Sequence, residues 1–81
     1  HDRLAPRKTR TEITLEDGSK YVCRIIDLSL SGAAFDMETR LPLGTAVLLG
    51  SMKGRVVRHF QEGVAIEFLG IQSREALREF L

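Results

Sequence analysis

Residues 53–68 read KGRVVRHFQEGVAIEF, and this stretch decides the fold class. Lys53–Phe60 and Gly63–Phe68 are short runs rich in apolar residues, and Gln61, Glu62 and Gly63 lie where they meet. Two such runs joined by a short glycine-containing segment are typical of a β-hairpin. The stretch therefore predicts two neighbouring antiparallel strands.

Short strands separated by turn residues continue from this hairpin towards the N-terminus. An Asp17-Gly18 pair predicts a tight turn between two runs rich in β-branched residues. The four additional predicted strands are Thr9–Leu15, Lys20–Leu28, Gly32–Phe35 and Thr45–Leu49. Six short strands about ten residues apart favour a small antiparallel barrel, because closure removes exposed strand edges. We therefore expect an all-β fold, a six-stranded antiparallel β-barrel.

The final segment, Ser73–Leu81 (SREALREFL), has a different pattern. It is rich in good helix formers, and Ser73 is a suitable N-cap because its hydroxyl can accept a hydrogen bond from an amide of the first turn. The apolar residues that would share one narrow helical face are Ala76, Leu77, Phe80 and Leu81. We therefore expect the barrel to end in a short C-terminal helix.

Charge is distributed unevenly along the chain. The whole sequence carries 12 Lys and Arg residues against 11 Asp and Glu residues, a net charge of +1. Residues 1–10 (HDRLAPRKTR) hold four of the basic groups and one acidic group, so residues 11–81 are net acidic. Pro6 favours an extended conformation in the first segment. We expect residues 1–10 to form a flexible basic arm and residues 11–81 to form the barrel with its C-terminal helix.

The composition argues against several classes of protein. A net charge of +1 and five aromatic residues without Trp do not favour a polynucleotide-binding surface. The single cysteine, Cys23, cannot form an intramolecular disulfide, and two histidines distant from it in sequence do not favour a zinc site. Apolar runs stay far below the roughly 18 residues of a membrane span, so no direct membrane insertion is expected. Because the chain begins at His1 without Met, we expect a fragment or one domain of a larger protein.

The sequence does not indicate a catalytic site either. Cys23 lies in an apolar strand, which is typical of a small core residue rather than a nucleophile. His59 has no nearby carboxylate except Glu62 to orient it, and strand alternation turns it to the opposite face from Arg58. The glycines are isolated and form no nucleotide-binding loop. We expect no enzyme, no metal and no cofactor.

Two motifs remain, and their chemistry is complementary. Arg3 and Arg7 form an R-x-x-x-R pair, and residues 27–32 (DLSLSG) form a D-x-S-x-x-G turn after the longest predicted strand. Guanidinium groups bind phosphate oxygens and the O6 and N7 acceptors of guanine. The ionised carboxylate of Asp27 only accepts hydrogen bonds, so it matches the N1–H and N2–H donors on the other edge of guanine. The motifs together predict a site for an anionic, purine-like ligand.

The order and spacing of these motifs resemble the PilZ domain, a bacterial receptor module for cyclic di-GMP. Arg7 precedes Asp27 by 20 positions, and the GVAIEF run at 63–68 is similar to the closing strand of that family. The resemblance covers essentially the whole chain and implies a six-stranded antiparallel barrel with a C-terminal helix. It also implies cyclic di-GMP as the ligand, a cytoplasmic location in a bacterium, and a protein partner or flanking domain that receives the signal.

The resemblance also implies which residues bind the ligand. The arginines would contact phosphate oxygens and guanine, the aspartate and serine would hydrogen-bond a guanine, and the glycine would shape the turn beneath it. These residues are Arg3, Arg7, Asp27, Ser29 and Gly32. Lys8 and Arg10 lie outside the motifs, where they serve either as auxiliary phosphate contacts or as solvated charges at the entry to the first strand. Many members have a second basic residue beside the first motif arginine, whereas Arg3 is flanked by Asp2 and Leu4. The sequence therefore leaves open whether one ligand or two bind to the domain.

Two other functions fit parts of the sequence. A degenerate member of the same family would keep the barrel as a protein-interaction module without binding nucleotide. In that case Arg3 and Arg7 form an ordinary basic terminus, and the D-x-S-x-x-G segment only satisfies a turn through side-chain-to-backbone hydrogen bonds. A small RNA- or DNA-binding barrel would need a basic, aromatic strand face, which the net acidic residues 11–81 do not favour.

Overall fold

The computed structural model describes the backbone of residues 3–4 and 10–80 and, except at positions 3, 4 and 79, their side chains. The strands in this part of the chain form one antiparallel sheet. They are Arg3–Leu4 (β1), Arg10–Leu15 (β2), Lys20–Ser29 (β3), Gly32–Asp36 (β4), Ala46–Leu49 (β5), Met52–Phe60 (β6) and Gly63–Phe68 (β7). The order β3-β2-β5-β6-β7-β4 is closed by a second pairing of β4 with β3. The predicted six-stranded antiparallel barrel is therefore confirmed.

The Asp17-Gly18 turn between β2 and β3 is also formed as predicted. The Leu15 amide donates to the Ser19 carbonyl at 2.8 Å, and the Gly18 amide donates to the Leu15 carbonyl at 3.0 Å. Gly18 has a φ of +88°, a conformation that side chains with a Cβ rarely adopt. For the six predicted strands the bounds differ by at most one residue from those predicted, while Thr9 lies outside the described residues. The short β1, Arg3–Leu4, was not predicted.

The barrel interior is filled by the side chains that alternate inward along each strand. In β7, Val64, Ile66 and Phe68 belong to the core, whereas Glu67 between them is exposed. Cys23 of β3 is 5% exposed and packs in the same cluster, as the sequence predicts. Burying each large apolar side chain stabilises the fold by about 1.5–3 kcal/mol.

The C-terminal segment packs on the barrel but is tighter and shorter than the predicted helix. Ser73 caps it as expected, since its hydroxyl accepts a hydrogen bond from the Ala76 amide at 3.2 Å. The helix itself is reduced to one 3₁₀ turn, Arg78–Phe80, in which the Phe80 amide donates to the Leu77 carbonyl at 2.9 Å. In 3₁₀ geometry residues three apart lie on one face. Leu77 and Phe80 are both fully buried on this face.

A β-bulge in β3 determines which side chains reach the outer face. The register of β3 on β4 shifts between Ile25 and Asp27, so Ile26 is an extra residue on β3. Regular alternation from the buried Ile25 would turn Asp27 into the core. After the bulge Leu28 is buried instead, and Asp27 and Ser29 lie on the outer face, half-buried.

A second bulge, in β6, likewise determines which side chains reach the outer face. The register of β6 on β7 shifts between Val56 and Arg58, so Val57 is the extra residue. Val56 is buried, and both Val57 and Arg58 are exposed. Arg58 is thereby paired with Ala65 on the outer face of the barrel.

Candidate functional site

A shallow depression of about 380 Å³ lies on the outer face of the barrel, where β3, β4, β7 and β6 are neighbours. One wall consists of the D-x-S-x-x-G segment and includes Asp27, Ser29 and Gly32. The opposite wall is formed by β6 through Val57 and Arg58. The structure therefore brings three of the five predicted ligand-binding residues together around one concave surface.

A row of directly paired residues crosses the floor of this depression. Asp27 is opposite Ala34, Ala34 is opposite Ala65, and Ala65 is opposite Arg58. The row has a carboxylate at one end, a guanidinium at the other and two methyl side chains between them. With strands about 4.8 Å apart, the backbones at its two ends are at most about 14 Å apart. A small apolar floor between an acceptor and a donor suits the face and the edges of a planar heterocycle.

The Ser29 hydroxyl organises the turn that follows β3. Its oxygen accepts hydrogen bonds from the amides of Ser31 and Gly32, both at 3.2 Å. The hydroxyl also lies 3.3 Å from the Gly32 carbonyl and 3.1 Å from the Ser31 hydroxyl. A hydroxyl has one proton to donate and two lone pairs. Holding the turn therefore occupies most of its hydrogen-bonding capacity.

A glycine is needed at position 32 because β7 lies too close to leave room for a side chain, and not because the backbone angle φ is unusual. The positive-φ glycines of the described chain are at 18, 44 and 50, so Gly32 is not among them. A Cβ placed on Gly32 would lie 2.3 Å from the carbonyl oxygen of Ile66 on β7. The absence of a side chain at this position allows β4 and β7 to approach closely at the edge of the depression.

The turn is also hydrogen-bonded to the end of β7 and to the segment that follows it. The Phe68 amide donates to the Ser31 carbonyl at 2.8 Å, and the Gln72 amide donates to the Leu30 carbonyl at 2.6 Å. The exposed apolar side chains of Leu69 and Ile71 lie in the segment between these two hydrogen bonds. The D-x-S-x-x-G segment is therefore directly connected to the chain that leads to the C-terminus.

The backbone of Arg3 reaches the same turn from the other side of β3. β1 pairs with β3 so that Arg3 is opposite Ser29 and Leu4 is opposite Leu28. β4 pairs with β3 along the opposite edge, which is the side of the depression. A ligand in contact with both the arm and the alanine floor would therefore lie across the outward side chains of β3.

The remaining predicted arm residues are placed differently. Arg7 and Lys8 lie outside the described residues. Arg10 begins β2, is exposed, and is directly opposite Arg24 of β3. It does not line the depression, whose residues come from β3, the turn after it, β4, β6 and β7. A phosphate contact by Arg10 would therefore have to lie beyond the depression.

The described walls of the depression are net acidic. Asp27 and Glu67 contribute carboxylates, and Arg58 contributes a guanidinium. An anionic ligand would need additional positive charge, because like charges repel at short range. The arm carries that charge in Arg3 and Arg7. A ligand with phosphate groups would therefore need both this charge and the depression.

The two side chains considered for catalysis, Cys23 and His59, have structural environments: the first is buried and the second is hydrogen-bonded to the backbone. Burial raises the pKa of the Cys23 thiol to about 11, so the nucleophilic thiolate is scarce near neutral pH. His59 Nε2 donates to the Leu41 carbonyl at 2.5 Å, which anchors the loop before β5 to β6. Within the described part of the chain, His, Cys, Asp and Glu side chains form no group of three or more that could hold a metal ion.

Sequence reasoning missed the wall and floor supplied by β4, β6 and β7. Four residues of this wall and floor belong to no motif: Ala34, Ala65, Val57 and Arg58. Two register shifts place Asp27 and Arg58 on the same outer face as the two alanines. A signal was nevertheless present, because Val56-Val57-Arg58 and Ile25-Ile26-Asp27 both place two apolar residues before a charge. Such a break in alternation indicates a bulge, and bulges are frequent beside binding sites.

Comparison with known proteins identifies the family but no close relative. A family model described as "PilZ domain" matches residues 1–81, the whole length of the chain. Neither the curated proteins nor the solved structures contain a significant match. Among the described residues, the structure has no helix of the length and apolar character needed to cross a membrane.

Proposed function

The chain belongs to the PilZ family, and we propose that it is a sensor domain that binds cyclic di-GMP and catalyses no reaction. PilZ domains in general bind this dinucleotide. The observation that carries the proposal is the placement of Asp27 and Ser29 at the rim of the depression, with the backbone of Arg3 opposite Ser29.

The chemistry of the depression supports a guanine base as its occupant. The Asp27 carboxylate accepts hydrogen bonds, and guanine carries the adjacent donors N1–H and N2–H on one edge. Ala34 and Ala65 provide an apolar surface on which the face of the base can lie. Ser29 contributes by fixing the turn that presents Asp27.

The arm supplies what the barrel lacks. Cyclic di-GMP carries two phosphates, and the acidic walls of the depression do not neutralise them. In the proposed complex Arg3 and Arg7 bind phosphate oxygens and guanine acceptors through charge-assisted hydrogen bonds. Lys8 and Arg10 add attraction for the ligand without contacting the floor. Binding holds Arg3 and Arg7 against a ligand that lies beside β3, which changes the surface offered to a flanking domain or a protein partner.

Calorimetric titration of the 81-residue chain with cyclic di-GMP tests the proposal, with GTP and cyclic di-AMP as control ligands. Asp27→Ala removes the acceptor for guanine, and we expect a loss of affinity of about 10- to 100-fold, the value of a hydrogen bond to a charged group. Asp36→Ala is the matched control, because Asp36 is an exposed carboxylate on β4 outside the depression.

Three outcomes are informative. Saturable binding of cyclic di-GMP alone, weakened by Asp27→Ala and not by Asp36→Ala, supports the sensor function. No heat at high micromolar ligand would contradict it and favour the protein-interaction module. Binding of DNA or RNA that falls steeply with salt would instead indicate a polynucleotide-binding barrel, since each released counterion contributes to the salt dependence.

A further inference from the structure

Arg58 lies on the wall of the depression that faces Asp27, and no motif accounts for it. The bulge at Val57 turns the Arg58 side chain to the outer face, where Arg58 ends the row that begins at Asp27. Regular alternation from the buried Val56 would have turned this position inward. The local backbone is therefore arranged so that a cation is presented to the floor.

Arg58 differs from arginines whose side chains make contacts within the fold. Arg40 Nη2 donates to the Phe60 carbonyl at 3.0 Å, and Arg78 pairs with Glu75 at 3.6 Å. Within the described part of the chain, Arg58 makes no hydrogen bond or ion pair, and its side chain is exposed. A guanidinium that holds no part of the barrel is available to a ligand.

We propose that Arg58 determines base specificity by donating to the O6 and N7 acceptors of the guanine whose donor edge faces Asp27. This inference rests on the proposed function and adds the second side of the base contact. Guanine presents O6 and N7 as adjacent acceptors, which a guanidinium binds with both arms of its fork. Adenine presents an N6 amino group beside N7, so the same guanidinium would face a donor.

The spacing of the row accommodates this arrangement. The backbones of Asp27 and Arg58 are separated by three interstrand steps, at most about 14 Å. A purine lying on Ala34 and Ala65 with a hydrogen bond of about 2.9 Å at each edge fits within this span, and the long Arg58 side chain closes the remaining distance. Arg58 also offsets the carboxylates of Asp27 and Glu67 in the same depression.

The test combines variants of Arg58 with modified ligands, measured by calorimetry on the 81-residue chain. We expect Arg58→Ala to weaken cyclic di-GMP binding about 10- to 100-fold. Arg58→Lys should recover only part of the loss, because an ammonium keeps the charge but lacks the fork. Lys53→Ala is the control, since Lys53 is an exposed cation on the same strand outside the depression.

A cyclic di-GMP analogue with 7-deazaguanine bases distinguishes a contact between Arg58 and the base from general electrostatic attraction between Arg58 and the anionic ligand. The parent should lose more affinity for this analogue than Arg58→Ala does. Any contact of Arg3 or Arg7 to N7 is lost in both proteins, whereas the contact of Arg58 is lost only in the parent. Equal losses in the two proteins, or Arg58→Ala binding cyclic di-GMP within twofold of the parent, would overturn the assignment. Failure of the parent to bind cyclic di-GMP would instead refute the proposed function.

Discussion

Replacing Gly32 with Ala distinguishes a structural role of this glycine from a role in ligand contact. A Cβ at this position would lie 2.3 Å from the Ile66 carbonyl oxygen and 3.3 Å from Glu67 Cα, and both obstacles are backbone atoms of β7. Ordinary van der Waals contact begins at 3.4 Å, so β4 and β7 must move apart where Gly32 pairs with Glu67.

The size of the effect follows from two opposing contributions. Overpacking of this kind costs about 1–3 kcal/mol, and the lower entropy of the unfolded chain after Gly→Ala returns about 0.4–1 kcal/mol. We therefore expect the free energy of unfolding to fall by about 1–2 kcal/mol. For a domain of this length the melting temperature should fall by about 4–16 °C.

Thermal and urea unfolding without ligand measure this change, with Gly70→Ala as the matched control. A Cβ on Gly70 meets nothing within 4 Å, so that variant should unfold within about 0.5 kcal/mol of the parent or be slightly more stable. If Gly32→Ala were as stable as Gly70→Ala, the close approach of β4 and β7 would not be what requires glycine.

Two further predictions concern side chains with described contacts. Ser29→Ala removes the acceptor of the Ser31 and Gly32 amides, so the free energy of unfolding should fall by about 1–2 kcal/mol. Urea unfolding checks this against the exposed control Ser51→Ala, and equal stability of the two variants would contradict the turn-forming role. Because burial raises the pKa of Cys23 to about 11, a thiol reagent at about pH 8 should modify it slowly in the folded protein and quickly in urea. Rapid labelling of the folded protein would contradict its burial.

The strands were predictable because their signals are local. Gly63–Phe68 is a short apolar run that begins with a glycine, and the Asp17-Gly18 turn requires only neighbouring residues. The position of Asp27 beside a depression was predictable in part, since the D-x-S-x-x-G segment identifies a turn at the end of a strand. The position of Arg58 across the floor from Asp27 was not predictable, because the pairing of Ala65 with Arg58 depends on a register between distant parts of the sequence.

The role of Gly32 and the form of the C-terminus depend on tertiary contacts as well. From the sequence Gly32 is a turn or ligand-contact residue, whereas its constraint comes from Ile66, 34 positions later. The helix formers of 73–81 favour a regular helix, but the described segment forms only a 3₁₀ turn that buries Leu77 and Phe80. In both cases packing against the barrel overrides the local preference.

The two bulges follow from the cost of burying charge. Without the first, alternation would place Asp27 in the core and Leu28 in solvent, and without the second Arg58 would face the core. An unpaired charge in an apolar interior costs several kcal/mol, far more than the ladder hydrogen bond that a bulge disrupts. The charges at Asp27 and Arg58 therefore impose the bulges, and the bulges place both charges on one face of the barrel. The residues that define the candidate site are thus also the residues that shape the backbone around it.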